Sequence, residues 1–119
     1  MGQVLGRATI KYDGNVLLTE KGAKLYMGGV ERKPIEGDTV HGYAEETKAP
    51  YIECNVNLAK GQSLQEINDI IDATVTFECD TGHVYTLVNA WSSVPPEITA
   101  GEGGKIPVKF YGMKCDEVA

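Results

Sequence analysis

A chain of 119 residues, 42% hydrophobic and 24% charged, is ordinary globular material, sized to form one domain that buries roughly two-thirds of its unfolded surface. Its net charge of −6 argues against unaided binding to nucleic-acid phosphates or to an anionic membrane surface. No apolar run approaches the ~20 residues that cross a bilayer. The segment from Met1 to Arg7 lacks the apolar core of a signal peptide, so synthesis in a cytoplasm is expected. Three cysteines at wide spacing suit free thiols in a reducing compartment better than a disulfide framework.

The first element runs from Arg7 to Leu18, where Ala8, Ile10 and Tyr12 alternate with Thr9 and Lys11. Asp13-Gly14-Asn15 is a turn signal that closes a hairpin into Val16-Leu17-Leu18. Leu25-Tyr26-Met27 is a short apolar island. From Gly28 to Gly42 the pattern breaks: Gly28, Gly29, Pro34, Gly37 and Gly42 punctuate a polar stretch with Glu31, Arg32, Lys33, Glu36 and Asp38. This predicts a long loop over about 28–42, and long loops in compact domains are usually functional or mobile. Extended structure restarts from Val40 to Thr47, and Pro50 leads into a strong strand in which Ile52, Cys54, Val56 and Leu58 alternate with Tyr51, Glu53, Asn55 and Asn57.

Next, Ser63-Leu64-Gln65-Glu66 is a capping box, in which the Ser63 hydroxyl accepts from the Glu66 amide while the Glu66 carboxylate reaches back. Leu64, Ile67, Ile70 and Ile71 mark the apolar face of a helix too short to stand without packing on a sheet. Ala73, Val75, Phe77 and Cys79 alternate with Thr74, Thr76 and Glu78 in a second strand. Asp80-Thr81-Gly82 turns it into Val84–Trp91. A loop with Pro95, Pro96, Gly101, Gly103 and Gly104 follows, then a final strand with Ile106, Val108 and Phe110 that ends near Cys115. The fold class expected over 1–119 is one mainly β domain, an antiparallel sandwich or barrel with one short flanking helix. Its function is expected in surfaces rather than in a reaction centre.

The candidate chemistry is thin. Asp80-Thr81-Gly82 carries the residues of an aspartic-protease motif, but His83 follows it and no glycine-flanked apolar motif lies downstream; it reads as a hairpin turn. Cys54, Cys79, Cys115, His41 and His83 include no Cys-x-x-Cys or His-x₃-His pair, so no metal site is expected. Gly101-Glu102-Gly103-Gly104-Lys105 imitates a phosphate loop, yet Ile106 stands where a Ser or Thr would bind magnesium, and no helix follows. Trp91 reads as a core anchor.

The run Gly42-Tyr43 through Lys48-Ala49-Pro50-Tyr51-Ile52-Glu53, the helix leading into Ile70-Ile71-Asp72-Ala73-Thr74-Val75-Thr76, and Thr81-Gly82 with Tyr85 and Asn89-Ala90-Trp91 resemble the tail tube proteins of Mu-like contractile-tailed phages. Gly28-Gly29-Val30-Glu31-Arg32 matches as well, and the resemblance covers nearly the whole chain. It implies a sandwich or barrel similar to secretion-system tube proteins. Six copies would form a ring, and rings would stack into a hollow tube that conducts DNA inside a contractile sheath. It also implies sheath and baseplate partners and a tape-measure protein and DNA that pass through the lumen unbound. The implied place is the virion tail, with no cofactor, no catalysis and no membrane binding by this chain.

In such tubes a long loop contacts the neighbouring ring. Here it corresponds to Gly28–Asp38, with Gly29, Val30, Glu31, Arg32, Lys33, Pro34 and Glu36 as contact residues. The polar strand face Glu53, Asn55, Asn57 with Thr74, Thr76 and Glu78 is the candidate lumen wall, where carboxylates would repel phosphate within a Debye length of ~8 Å. Two other readings stand beside this one: a small β-sandwich binding module, and a dimeric aspartic protease using Asp80.

Overall fold

Hydrophobic alternation becomes two sheets closed over one apolar core. The structure, a computed structural model, describes residues 2–101 and 103–119. Strands β1 (Ala8–Tyr12) and β2 (Asn15–Leu17) form the first hairpin. They precede β3 (Lys24–Tyr26), β4 (Gly29–Glu36), β5 (Val40–Lys48) and β6 (Tyr51–Asn57). Helix α1 (Leu64–Asn68) is followed by β7 (Ala73–Cys79), β8 (Val84–Ser92), β9 (Lys105–Tyr111) and β10 (Lys114–Glu117). Pairing is antiparallel throughout. Sheet I has the order β2-β1-β7-β8, with β10 on the far side of β8; sheet II runs from the end of β8 through β9 and β6 to β3.

Strand β8 belongs to both sheets because it bends. Leu87 lies opposite Val75 and Ala90 opposite Ala73, so β8 carries one residue more than β7 over this interval. Asn89 takes up the difference in the left-handed region, at φ 50°, which Asn tolerates better than most side chains. Beyond the bulge, Trp91 and Ser92 pair with Tyr111 and Phe110 of β9. The inner faces then meet: Ile10, Leu17, Val75, Phe77 and Leu87 from sheet I against Ile52, Cys54, Val56, Ile106, Val108 and Phe110 from sheet II, all buried. At about 25 cal/mol per Å² of apolar surface, this interior is what holds the sandwich together.

Three expectations change in detail. The helix stops at Asn68: Ile67 and Ile70 are buried, but Ile71 lies beyond it, exposed, so the apolar face is shorter than the spacing suggests. Ser63 does accept from the Glu66 amide at 3.3 Å, while the Glu66 carboxylate accepts from the Tyr12 hydroxyl at 3.2 Å instead of closing the capping box. The last strand breaks at Gly112, where an added Cβ would stand 2.5 Å from Leu87 Cγ; β10 then starts anew as an edge of sheet I.

The largest correction concerns 28–42. This is not a loop but most of a long β-hairpin, with β4 and β5 paired from Gly29↔Lys48 to Glu36↔Val40. Against the expected contact loop, all of Gly29, Val30, Glu31, Arg32, Lys33, Pro34 and Glu36 therefore lie in a strand. The register shifts between Ile35 and Glu36, leaving His41 unopposed as a bulge near the tip. Glycine and proline suggested a break because the strand has no buried side to pattern. Each residue of β4 is exposed, and so is each residue of β5 except half-buried Lys48.

Candidate functional site

The hairpin stands off the sandwich. Among the described residues β4 and β5 pair only with each other, and the Cα radius of gyration is 17.0 Å, against about 13.5 Å for a compact chain of this length. It is spliced into sheet II by two short links, Met27-Gly28 and Ala49-Pro50. Gly28 is required there: at φ 67° its Cβ would fall 2.6 Å from both Lys48 O and Pro50 N.

Register divides the hairpin side chains into two faces. One carries Glu31, Lys33, Ala44, Glu46 and Lys48, closed by ion pairs of Lys33 with Glu46, Lys48 with Glu46 at 3.1 Å and Lys48 with Glu31 at 3.7 Å. Lys33, and then Lys48, hold the Glu46 carboxyl below its usual pKa; the bond to Glu46 holds the Lys48 ammonium above its own. The other face carries Val30, Arg32, Pro34, Tyr43, Glu45 and Thr47. There Arg32 lies 5.7 Å from the Tyr43 ring centre and 3.7 Å from Glu45, while Val30 and Tyr43 are exposed. An isolated two-stranded ribbon with apolar side chains in water is marginal in stability, and both of its edges are open to pairing.

The polar wall expected from the sequence divides in two. Glu53, Asn55 and Asn57 lie on β6 in sheet II, whereas Thr74, Thr76 and Glu78 lie on β7 in sheet I, with β8 and β9 between them in strand order. Both sets point away from the shared core, so they sit on opposite outer faces of the sandwich.

On sheet I, Lys11 bridges to Glu78 at 3.1 Å, and Thr9, Thr74, Thr76 and Thr86 surround the pair. With Lys114 and Asp116 on β10 this face is neutral. On sheet II, Glu53 lies between Lys24 and Lys109, and Asn57 opposite Lys105, so three lysines face one glutamate. Asn57 Oδ1 is buried with no hydrogen-bond partner among the described residues, 2.9 Å from where a Cβ on Gly103 would stand.

A row of aromatic rings crosses sheet II on this same face. Tyr26, Tyr51, Tyr111 and Trp91 come from β3, β6, β9 and β8, with successive centroids 5.1, 5.7 and 6.4 Å apart. Lys109 Nζ lies 4.3 Å from the Tyr51 ring centre and 4.9 Å from that of Tyr111. Its bond to the Tyr111 hydroxyl raises its pKa. Trp91 is thus not a core anchor; it is 37% exposed at the end of this row. Sequence alone could not align these rings, because only the strand register brings four distant positions to one line.

The family model for phage tail tube proteins matches residues 1–117. This chain belongs to that family. The Mu-like prophage FluMu tail tube protein of Haemophilus influenzae is 33% identical over 116 residues, covering 98% of this chain and 97% of the relative. The tail tube protein of Escherichia phage Mu is 33% identical over 114 residues, covering 96% and 94%. A chain in the cryo-EM structure of an extracellular contractile injection system, the PVC sheath/tube terminator in the extended state, superposes with a TM-score of 0.71 at 9% identity, over 100% of this chain and 98% of its own; at that identity the likeness is one of fold.

As a tail tube protein the chain is a structural component of the virion tail, and its remaining polar residues have structural places. Asp80 accepts from the Gly6 and Arg7 amides at 3.3 and 3.0 Å and tethers the N-terminal segment beside the β7–β8 turn. That turn is closed by the Gly82 amide on Cys79 O, at 3.0 Å. An open cleft of about 740 Å³ runs along the Arg7–Thr9 segment, and both Asp80 and Glu78 on its wall are already engaged. Cys54 lies in the core, where burial pushes its thiol pKa up to about 12. Cys79 and Cys115 are half-buried, their thiols also raised by burial. No group of three His, Cys, Asp or Glu side chains converges among the described residues; the phosphate-loop imitation includes Glu102, which lies outside them.

Proposed function

We propose that six copies of this tail tube protein close into a ring, that rings stack into a hollow tube, and that the β4–β5 hairpin is the arm that holds one copy to the next. The observation that carries this reading is the hairpin itself: it projects a mixed apolar and charged surface into water, with every residue of β4 and β5 exposed except half-buried Lys48. Among the described residues, outer strands β2 and β3 each keep one unpaired edge, which side-by-side association would close. The tube would run inside a contractile sheath, meet the baseplate at its end, and pass the tape-measure protein and DNA without binding them. No catalytic step and no cofactor enter this reading.

Only one outer face of the sandwich can line such a bore, and we assign it to sheet I. Its threonines and the paired Lys11 and Glu78 give a neutral, hydroxyl-rich wall that offers phosphate no net counter-charge. Thr74, Thr76 and Glu78 therefore remain wall residues, whereas Glu53, Asn55 and Asn57 belong with the lysine-rich face of sheet II. Negative-stain microscopy and sedimentation of the purified protein at rising concentration test the assembly. Tubes with an axial bore are expected; a monomer at every concentration and salt, even with preformed tube ends as seeds, would refute it.

A further inference from the structure

The outer face of sheet II stands out on a chain of net charge −6. Among the positions of β3, β6 and β9 on this face, Lys24, Lys105 and Lys109 outnumber Glu53 by two. Lys24 and Lys109 stand one pair along from the row Tyr26, Tyr51, Tyr111 and Trp91, and Lys105 lies at the far end of β6 and β9, opposite Asn57. The hairpin has the opposite character. Between Gly29 and Lys48 the acids Glu31, Glu36, Asp38, Glu45 and Glu46 outnumber Arg32, Lys33 and Lys48 by two. One side carries the pairs among Glu31, Lys33, Glu46 and Lys48 beside exposed Ile35; the other carries the Arg32–Glu45 pair and offers Val30, Pro34 and Tyr43 as apolar surface, while Glu36 and Asp38 at the tip have no ion-pair partner among the described residues.

We propose that the lysine-and-aromatic face of sheet II is the receptor for the β4–β5 hairpin of a second copy of this chain. This deepens the assembly reading above and rests on it. The occupant has to come from another copy, since the chain's own hairpin is joined to sheet II at the Gly28 and Pro50 links and pairs with nothing there. Docking lays Val30, Pro34 and Tyr43 against the aromatic row and brings the acidic tip to the lysines. Aromatic contact supplies apolar burial, and opposite net charges steer the approach and set its orientation.

Complementary charge swaps test this on the full-length protein. One variant reverses the face with Lys24→Glu and Lys105→Glu; the other reverses the tip with Glu36→Lys and Asp38→Lys. Each alone is expected to raise the concentration at which tubes sediment by about tenfold or more, an effect that shrinks in high salt. Combining all four substitutions in one chain is expected to restore assembly, because every hairpin then meets a face of opposite sign; mixing the two variants is expected to restore it where unlike copies alternate. The tip variant changes only exposed positions, so it keeps the test open even where the face variant loses stability on thermal melting.

Assembly of either variant at the parent's concentration, or lack of rescue in the combined chain, would overturn the proposal. A chain lacking residues 29–48 separates this failure from that of the assembly reading. If that chain still forms tubes, the hairpin is no assembly arm. If it does not, while the charge variants assemble normally, the hairpin docks elsewhere and the sheet II face serves a different occupant, such as the sheath.

Discussion

Excising the whole hairpin should separate folding from assembly. The Gly28 Cβ direction points within 2.9 Å of the Ala49 carbonyl carbon, so the ends of the hairpin are close enough for a two-residue Asn-Gly turn to replace Gly29–Lys48. No buried core side chain lies in the removed segment, and only Lys48 within it is even half-buried. Loss of exposed residues alone moves stability by about 0.5 kcal/mol. In the other direction, a roughly tenfold shorter connection lowers the entropy of closure by about 2 kcal/mol. The melting temperature is therefore expected to hold or rise by several degrees, at about 4–8 °C per kcal/mol for a domain near this size. Tube formation, followed by sedimentation and microscopy, is expected to disappear. Thermal scans showing a fall of about 10 °C or more would refute the burial argument, because the hairpin would then belong to the cooperative unit. Removing only Gly29–Gly37 is the wrong experiment: it would leave β5 as an unpaired strand and invite non-specific pairing.

Gly112→Ala should cost about 1–3 kcal/mol in urea unfolding, since its Cβ meets the fully buried Leu87 at 2.5 Å with Val88 O behind it; a neutral result would mean that the β9–β10 turn shifts freely. Cys54 predicts a pH dependence. Its thiol pKa is raised from 9.0 to about 12 on folding, so the neutral thiol's contribution is full below pH 9 and lost as pH rises from 9 toward 12. Cys54→Ala should flatten the alkaline fall of the melting temperature relative to the parent; parallel curves would show that the thiol is not desolvated. For the bore, Thr74→Lys with Thr76→Lys adds two positive charges per subunit to the sheet I face, and DNA ejection from assembled particles is expected to slow, most at low ionic strength. Ejection unchanged at all salt concentrations would move the wall to another face.

What could be read from the residues follows from where water is excluded. Strands β6 and β7 show their inner faces as apolar alternation because Ile52, Cys54 and Val56, and likewise Val75 and Phe77, face the core. The β4–β5 hairpin shows no such pattern because both of its faces are wet, and a strand without a buried side leaves only glycines and a proline to read. Residues 28–42 stand out in the sequence as a segment without apolar alternation, but their pairing as a hairpin does not. The grouping of six polar residues on one face was mistaken, for a different reason. Alternation correctly told which side of each strand is polar, but not that β8 and β9 stand between β6 and β7 and place the two polar sides on opposite faces. Trp91 and Tyr111 likewise meet only because Asn89 bends β8 across to sheet II.

The Pro50 link has a mechanical consequence. A pull on the hairpin passes through its two links into β3 and β6; at the Pro50 link it meets β6, which is held on one side by β3 and along its full length by β9, from Tyr51↔Tyr111 to Asn57↔Lys105. The hydrogen bonds of an antiparallel ladder lie across the strands, so tension along β6 loads them together in shear instead of peeling them one at a time. A subunit so connected would yield as a block. In the tube proposed above, the arm that would reach for a neighbour is thus rooted in a strand paired on both sides.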